Sequence, residues 1–200
     1  MTLLTCSSYS QMFEGHILYT NRVISKIKNV SDQSLLNMIG NRQDYFAKGG
    51  NYKSVSNGKI ITMQLYDNQS NKIYNQTPNS DTLYWIDASA NTDEMISYEM
   101  KKNADTILGN VCDAIVITTK ANTTTLYYSK KYTVDTRFYT SHKYGNWSFY
   151  LSKSGGALPL KTVIEYQQFV MESTATEIKT MQLNDHEFAI DSNVPVKKAG

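Results

Sequence analysis

Charge imbalance, cysteine, proline and long apolar runs are all scarce in this 200-residue sequence, and each scarcity removes a class of protein. Twenty Lys and Arg face 18 Asp and Glu, a net charge of +2, and the two signs are interspersed without a block of either. Such a balance offers no electrostatic footprint for nucleic acid or for an anionic membrane. Two cysteines, Cys6 and Cys112, make neither a disulfide framework nor a clustered zinc site. A bridge between them is one reading; the other treats Cys112, inside an apolar strand pattern, as a small buried hydrophobe. Three prolines and ten glycines exclude a collagen-like or low-complexity chain. No run approaches the roughly 20 apolar residues that a membrane-spanning helix needs.

Catalytic patterns are missing as well. His16, His142 and His186 stand far apart, without HxH or HxxxH spacing for a metal. No serine sits in a GxSxG elbow, and the Gly-Gly pairs at 49–50 and 155–156 form neither GxGxxG nor a P-loop. Asp185, His186 and Glu187 are adjacent, so on an extended chain their side chains diverge. The sequence therefore nominates no catalytic residue, no metal ligand and no cofactor.

What is abundant is tyrosine, 15 against six phenylalanines, together with Thr, Asn and Ser. A tyrosine can bury its ring while its hydroxyl reaches water, the composition of half-wet sheets. Period-two patterns recur about every ten residues, separated by short polar turns, which predicts an antiparallel meander. Phe13, Gly15, Ile17 and Tyr19 share one face of a first strand. Ser31 caps a short helix with Leu35, Leu36 and Ile39 on its apolar side, and Gly40 stops it. Strands follow around Gly49-Gly50. Asn57-Gly58 signals a tight hairpin into a strand over 59–66. Further strands are expected over 72–76, 82–88 and 95–101.

The stretch from Asp105 to Tyr132 holds the densest apolar strand, 111–117, paired through a polar turn with 124–132. Because 111–117 is apolar on both faces, it is expected mid-sheet and covered on both sides. The cover is expected from Tyr144–Leu151, where Asn146 caps a helix whose Trp147, Tyr150 and Leu151 align. Gly155-Gly156 and Pro159 end that helix. Strands over 161–171 and 174–183 close the pattern.

Residues 1–11 read as the remnant of a signal peptide, with a lipoprotein signal centred on Cys6 or a disordered leader as the alternatives. Residues 12–190 are expected to form a single antiparallel β domain, and 191–200 a loose basic tail. Five Asn-x-Ser/Thr sites, at Asn29, Asn68, Asn75, Asn122 and Asn146, follow from loops rich in those residues.

The run Ile107-Leu108-Gly109, then Cys112, then a Thr-rich hairpin ending Leu126-Tyr127-Tyr128-Ser129, resembles the signature of the GLPGLI proteins, exported proteins of Bacteroidetes. The segment YFAKGGNYK from Tyr45 to Lys53 is similar to their paired strands. The family's naming motif falls at Gly156-Ala157-Leu158-Pro159-Leu160, but no Gly follows Pro159 and Lys161 closes it. That departure is closer to a related group of uncharacterised domains. The resemblance covers residues 13–188. It implies a fold like the lipoprotein carriers LolA and LolB: a curved antiparallel sheet, an incomplete barrel, wrapped around two or three short helices. It also implies export to the periplasm or the outer membrane, and it brings no activity with it.

Under that fold Trp85, Trp147, Phe149, Tyr150, Leu151 and Tyr128 would line the concave side and take a lipid-like ligand or a lipoprotein. Two readings compete with this one. In the first, the aromatics simply pack the helices into the sheet, leaving a structural or interaction protein with an envelope partner. In the second, a hydrolase would need polar groups to converge, for which His142 near Asp135 or Glu165 is the place to look.

Overall fold

The computed structural model describes residues 12–200. The leader readings for 1–11, and Cys6 with them, lie outside the described residues. Fourteen elements follow in order: β1 Gly15–Ser25, α1 Asp32–Ile39, β2 Arg42–Lys48, β3 Asn51–Ser56, β4 Met63–Asp67, β5 Lys72–Gln76, β6 Leu83–Asp87, β7 Met95–Ile107, β8 Asn110–Thr119, β9 Asn122–Thr133, α2 Trp147–Ser154, β10 Ala157–Tyr166, β11 Phe169–Thr180 and β12 Val196–Lys198. Single 3-10 turns lie at Thr136–Tyr139, Tyr144–Asn146 and Asp185–Phe188.

The strands form one curved, open sheet in the order β12-β6-β5-β4-β3-β2-β1-β11-β10-β9-β8-β7. All pairings are antiparallel except β12 with β6. The fold class is thus the expected one: mainly β, a curved sheet and short helices. β1 joins two arms. On one side it pairs with β2 and the meander β2–β6; on the other it pairs with β11, Ile17 opposite Ile178. Its alternation decides which face is inner: Ile17, Tyr19, Asn21 and Val23 are buried, and Leu18, Thr20 and Arg22 between them are more open.

α1 forms as its sequence dictates. The Ser31 side chain accepts from Ser34 N at 3.1 Å, and the Gly40 backbone N donates to Leu36 O, with Gly40 at φ 98°. The helix packs against β1 and keeps Leu35, Leu36 and Ile39 half-buried.

Four expectations need correction. The tight Asn57-Gly58 hairpin is instead a six-residue connection, and β4 starts at Met63 rather than Lys59. The reason is that Asn57 is occupied elsewhere. Its Oδ1 accepts from Arg42 N, its Nδ2 donates to Asn41 Oδ1, and Lys59 N donates to Met38 O. The segment wraps the end of α1. Second, 161–171 is not one strand. Register pairs Lys161 with Thr174 and Glu165 with Val170, so the chain turns at Gln167-Gln168. The strand before that turn starts at Ala157, since Ala157 to Leu160 are all buried.

Third, 111–117 lies in the last strand but one, beside the edge strand β7, not mid-sheet. Ile115 and Ile117 meet the core, while Val111 is 59% exposed. Fourth, the tail is not loose throughout. Leu83 N donates to Pro195 O and Ala199 N donates to Trp85 O, each at 2.9 Å, which adds β12 to the edge of β6.

Candidate functional site

α2 lies on the inner face against β8 and β10. Its approach is set by two left-handed residues, Gly145 at φ 61° and Asn146 at φ 59°. Asn146 does not cap the helix with its side chain; its Oδ1 accepts from Asn91 Nδ2 instead. The loop before α2 hangs from Ala88 O, which accepts from both Lys143 N and Tyr144 N. After α2, Gly155 and Gly156 both donate backbone N–H to Leu151 O. Tyr150 and Leu151 are thereby sealed in the core, at 1% and 0% exposure. Trp147 stays half-buried at the helix start.

Around Trp147 the sheet supplies a wall of aromatic rings. Tyr45, Tyr52, Tyr66 and Tyr139 stack successively, with centroids 5.6, 5.2 and 5.7 Å apart. The first three stand on β2, β3 and β4, where cross-strand residues share a face. His142 fills the angle of this column, 4.4 Å from Tyr66 and 6.3 Å from Trp147. Its Nε2 lies 3.0 Å from Tyr52 Oη. Burial pushes the His142 pKa down to about 4. Burial likewise raises the phenols, Tyr66 to about 12 and Tyr45 and Tyr52 well above the usual value. At neutral pH this wall is uncharged.

Hollows flank Trp147. One, of about 220 Å³, is lined by Tyr19, Tyr45, Trp147, Pro159, Ile164 and Met171 among others. A second, of about 230 Å³, lies between Trp147, Tyr52, Gln64 and His142. The third, of about 490 Å³, runs past Gln43, Thr162 and Leu126 to Asp93, Thr119 and Asn122. All three share Trp147 and Gln43, so they lie side by side around the indole and are together called the trough. Of the three, the 490 Å³ hollow by itself falls in the range of small-molecule sites, roughly 300–1,000 Å³. Three buried polar atoms on this trough have no protein partner, the Tyr45 hydroxyl, His142 Nδ1 and Trp147 Nε1.

The six residues expected to line the concavity divide. Trp147 lines all three hollows. Tyr128, Tyr150 and Leu151 are core, sealed beneath it, with Tyr128 and Tyr150 edge-on at 6.1 Å. Phe149 points elsewhere, edge-on to Tyr98 at 5.0 Å and beside a separate hollow with Thr136 and Ser152. Trp85 is on the wrong face. Register sets it beside Tyr74, Leu65, Lys53, Phe46 and His16, whereas its neighbour Ile86 shares the inner row with Ile73, Tyr66 and Tyr52. On the outer face Trp85 lies under Lys72 Nζ, 4.1 Å from the ring centroid. Sequence reading missed Gln43, Tyr45 and Met171 as lining residues. The available signal was the alternation of Gln43 and Tyr45 across the strand that pairs with Tyr19 and Ile17.

The hydrolase geometry does not assemble at His142. Its ring meets Tyr52, and Asp135 is held by Arg137, whose Nε donates to Asp135 Oδ2 at 2.9 Å. Among the described residues no group of three or more His, Cys, Asp or Glu could hold a metal ion. No helix of the described residues is long and apolar enough to cross a membrane.

The core beneath the trough is expected to be unforgiving. Leu151→Ala should cost about 2–5 kcal/mol, the usual price of emptying a fully buried leucine site, and Ser152→Ala next to it within ~0.5 kcal/mol. Urea unfolding followed by circular dichroism measures both. Equal, small losses would mean that α2 does not pack as described.

No protein-family profile matches this sequence, and no curated protein does. Solved structures similar to it include PNGF-II, at TM-score 0.48 and 15% identity over 92% of this chain. The match covers 31% of PNGF-II, so the chain spans about a third of that protein. A LolA superfamily protein from Nitrosomonas europaea is similar at TM-score 0.41 and 9% identity, over 90% of this chain and 92% of that one. The lipoprotein LppX from Mycobacterium tuberculosis is similar at TM-score 0.38 and 10% identity, over 86% and 89%. At these scores the likenesses carry no statement about function.

Proposed function

We propose that this protein is a non-enzymatic binding module that holds a lipid-like or amphiphilic ligand in the trough beside Trp147. The observation that carries the reading is the set of three adjoining hollows around one half-buried indole, two walled mainly by apolar and aromatic side chains and the third by a mixture of apolar and polar ones. The wall offers binding without chemistry. Its one histidine is held neutral by burial and its Nε2 pairs with the Tyr52 hydroxyl rather than with a carboxylate, which favours binding over acid–base work. Kinship with the GLPGLI group, export to the periplasm or outer membrane, and handling of a lipoprotein belong to the same proposal and rest on the sequence resemblance.

The competing reading, an interaction protein with its concavity filled, draws on Tyr128, Tyr150 and Leu151, which fill the space directly under α2. The two tryptophans separate these readings, because they stand on opposite faces of the sheet. With Trp85→Phe, Trp147 becomes the only indole. A bromine-labelled fatty acyl chain should then quench most of its emission, saturably. The Trp147→Phe protein, reporting from Trp85, should show no saturable quenching. Absence of quenching at Trp147, with no lipid recovered by native mass spectrometry, would leave the filled-core reading standing.

A further inference from the structure

The trough is graded along its length. One end, between Tyr19, Pro159, Ile164 and Met171, is apolar. The other end is a hollow walled by amides and hydroxyls: Asn91, Thr119, Asn122, Thr124 and Asn146. No lysine or arginine lines any of the three hollows around Trp147. The only carboxylate is Asp93, at the polar end. Asp93 is not neutralised by a cation. Its Oδ2 accepts from Thr119 Oγ1 at 2.5 Å and from Asn122 Nδ2 at 3.2 Å, and its Oδ1 accepts from Ala121 N at 3.2 Å. Those bonds fix the carboxylate in place facing the wider hollow. Between the two ends stands the indole of Trp147, whose buried Nε1 has no protein acceptor.

Resting on the trough reading above, we propose that the ligand is an amphiphile with an uncharged, hydroxyl-rich head, a glycosyl head on an alkyl or acyl chain. The chain lies toward Ile164 and Met171, and the head lies among Asn91, Asp93, Asn122 and Asn146. The chemistry selects on both sides. An anionic head would bring its charge up to Asp93 with no lysine or arginine to compensate, and like charges at close range in a partly desolvated site repel. A sugar has hydroxyl donors for Asp93 and the amide oxygens, acceptors for the amide nitrogens and for Trp147 Nε1, and C–H faces to lie against the indole. A purely apolar ligand would leave Nε1 and the amide wall unpaired, and so would a quaternary ammonium head, which Asp93 attracts but which carries no donor or acceptor.

Three detergents with the same chain test the head: dodecyl maltoside, dodecanoate and dodecyltrimethylammonium. Each is titrated below its micelle concentration into the Trp85→Phe protein, following Trp147 emission. The maltoside is expected to bind at least about ten-fold tighter than dodecanoate, the size of effect that one unfavourable charge contact produces. Asp93→Asn keeps an acceptor for Thr119 while removing the charge, and should tighten dodecanoate binding about five-fold, whereas the maltoside, which loses a carboxylate acceptor for its hydroxyls, should bind no tighter. Should that variant fail to fold by circular dichroism, Asn91→Lys at the exposed rim supplies the missing cation and should shift dodecanoate the same way. Dodecanoate or dodecyltrimethylammonium binding as tightly as the maltoside overturns the head assignment while the trough reading survives. If none of the three moves Trp147 emission, the trough reading falls as well.

Discussion

Gly156→Ala is expected to cost about 2–5 kcal/mol or to prevent folding, while Gly155→Ala, one residue earlier, costs only ~1–2 kcal/mol. Both glycines are left-handed, at φ 71° and 83°. An alanine at either position therefore carries the penalty of about 1–2 kcal/mol for a Cβ crowding its own backbone. They differ in what surrounds them. A Cβ on Gly155 meets nothing within 4 Å; one on Gly156 would lie 2.3 Å from the backbone oxygen of Val134. That approach is part of the fold, since Val134 N donates to Gly156 O at 2.8 Å. The bond ties the end of β9 to the start of β10, just after the α2 helix. A backbone oxygen cannot swing aside as a side chain would, so relief requires the strands to part, an overpacking cost of about 1–3 kcal/mol. Urea unfolding of the two variants side by side is the measurement. Equal losses would show that the 134–156 approach is looser than described.

A second large effect is expected from acid. His142 is buried among Tyr52, Tyr66, Tyr139 and Trp147, with no carboxylate facing it. Its pKa is pushed down from 6.5 to about 4 by burial. Above pH 6.5 the ring is neutral in both folded and unfolded chains, and full stability is present. As pH falls from 6.5 toward 4 the unfolded chain takes up the proton and the folded one does not, so stability declines. Below about 4 both are protonated and the loss is complete. A difference of this size corresponds to about 3 kcal/mol. His142→Gln keeps an acceptor for the Tyr52 hydroxyl but cannot titrate. It should be less stable at neutral pH, yet nearly flat between pH 7 and 5, where the parent protein loses stability. Carboxylates such as Asp44 and Asp113, held low by Arg42 and Lys102, are common to both proteins and drop out of the comparison. An unchanged slope in the variant would remove His142 as the cause.

Local rules predicted the local elements well. The Ser31 cap, the Gly40 stop and the strand over 72–76 all follow from neighbours in sequence. Where the reading slipped, the deciding partner was distant. Asn57-Gly58 has ideal hairpin chemistry, but Arg42 and Met38 claim its surroundings. Gln167-Gln168 has no turn chemistry at all, and the turn there follows from pairing β10 with β11. Alternation showed that Leu83 and Trp85 share a face; it could not say which face α2 would cover. The same gap hid the trough. Trp147 was visible because helical spacing isolated it, whereas Tyr45 and Gln43 line the site only through their register against β1. β8 looked central because it is apolar, and its place beside the edge strand is a property of strand order alone.

The position of β1 also governs time. Residues near 15–25 must meet residues near 169–180, while β2 to β6 pair with their immediate neighbours. The meander can assemble as soon as it leaves the ribosome. Its flank at β1 stays open until about nine-tenths of the chain shown here has been synthesised. Closing a loop of that length before any contact rewards it belongs to the slow end of folding, milliseconds to seconds for sheets of high contact order. Throughout that interval β1 presents unpaired amides beside an aromatic wall, a template for wrong partners, and this is when a nascent chain of this design most needs a chaperone.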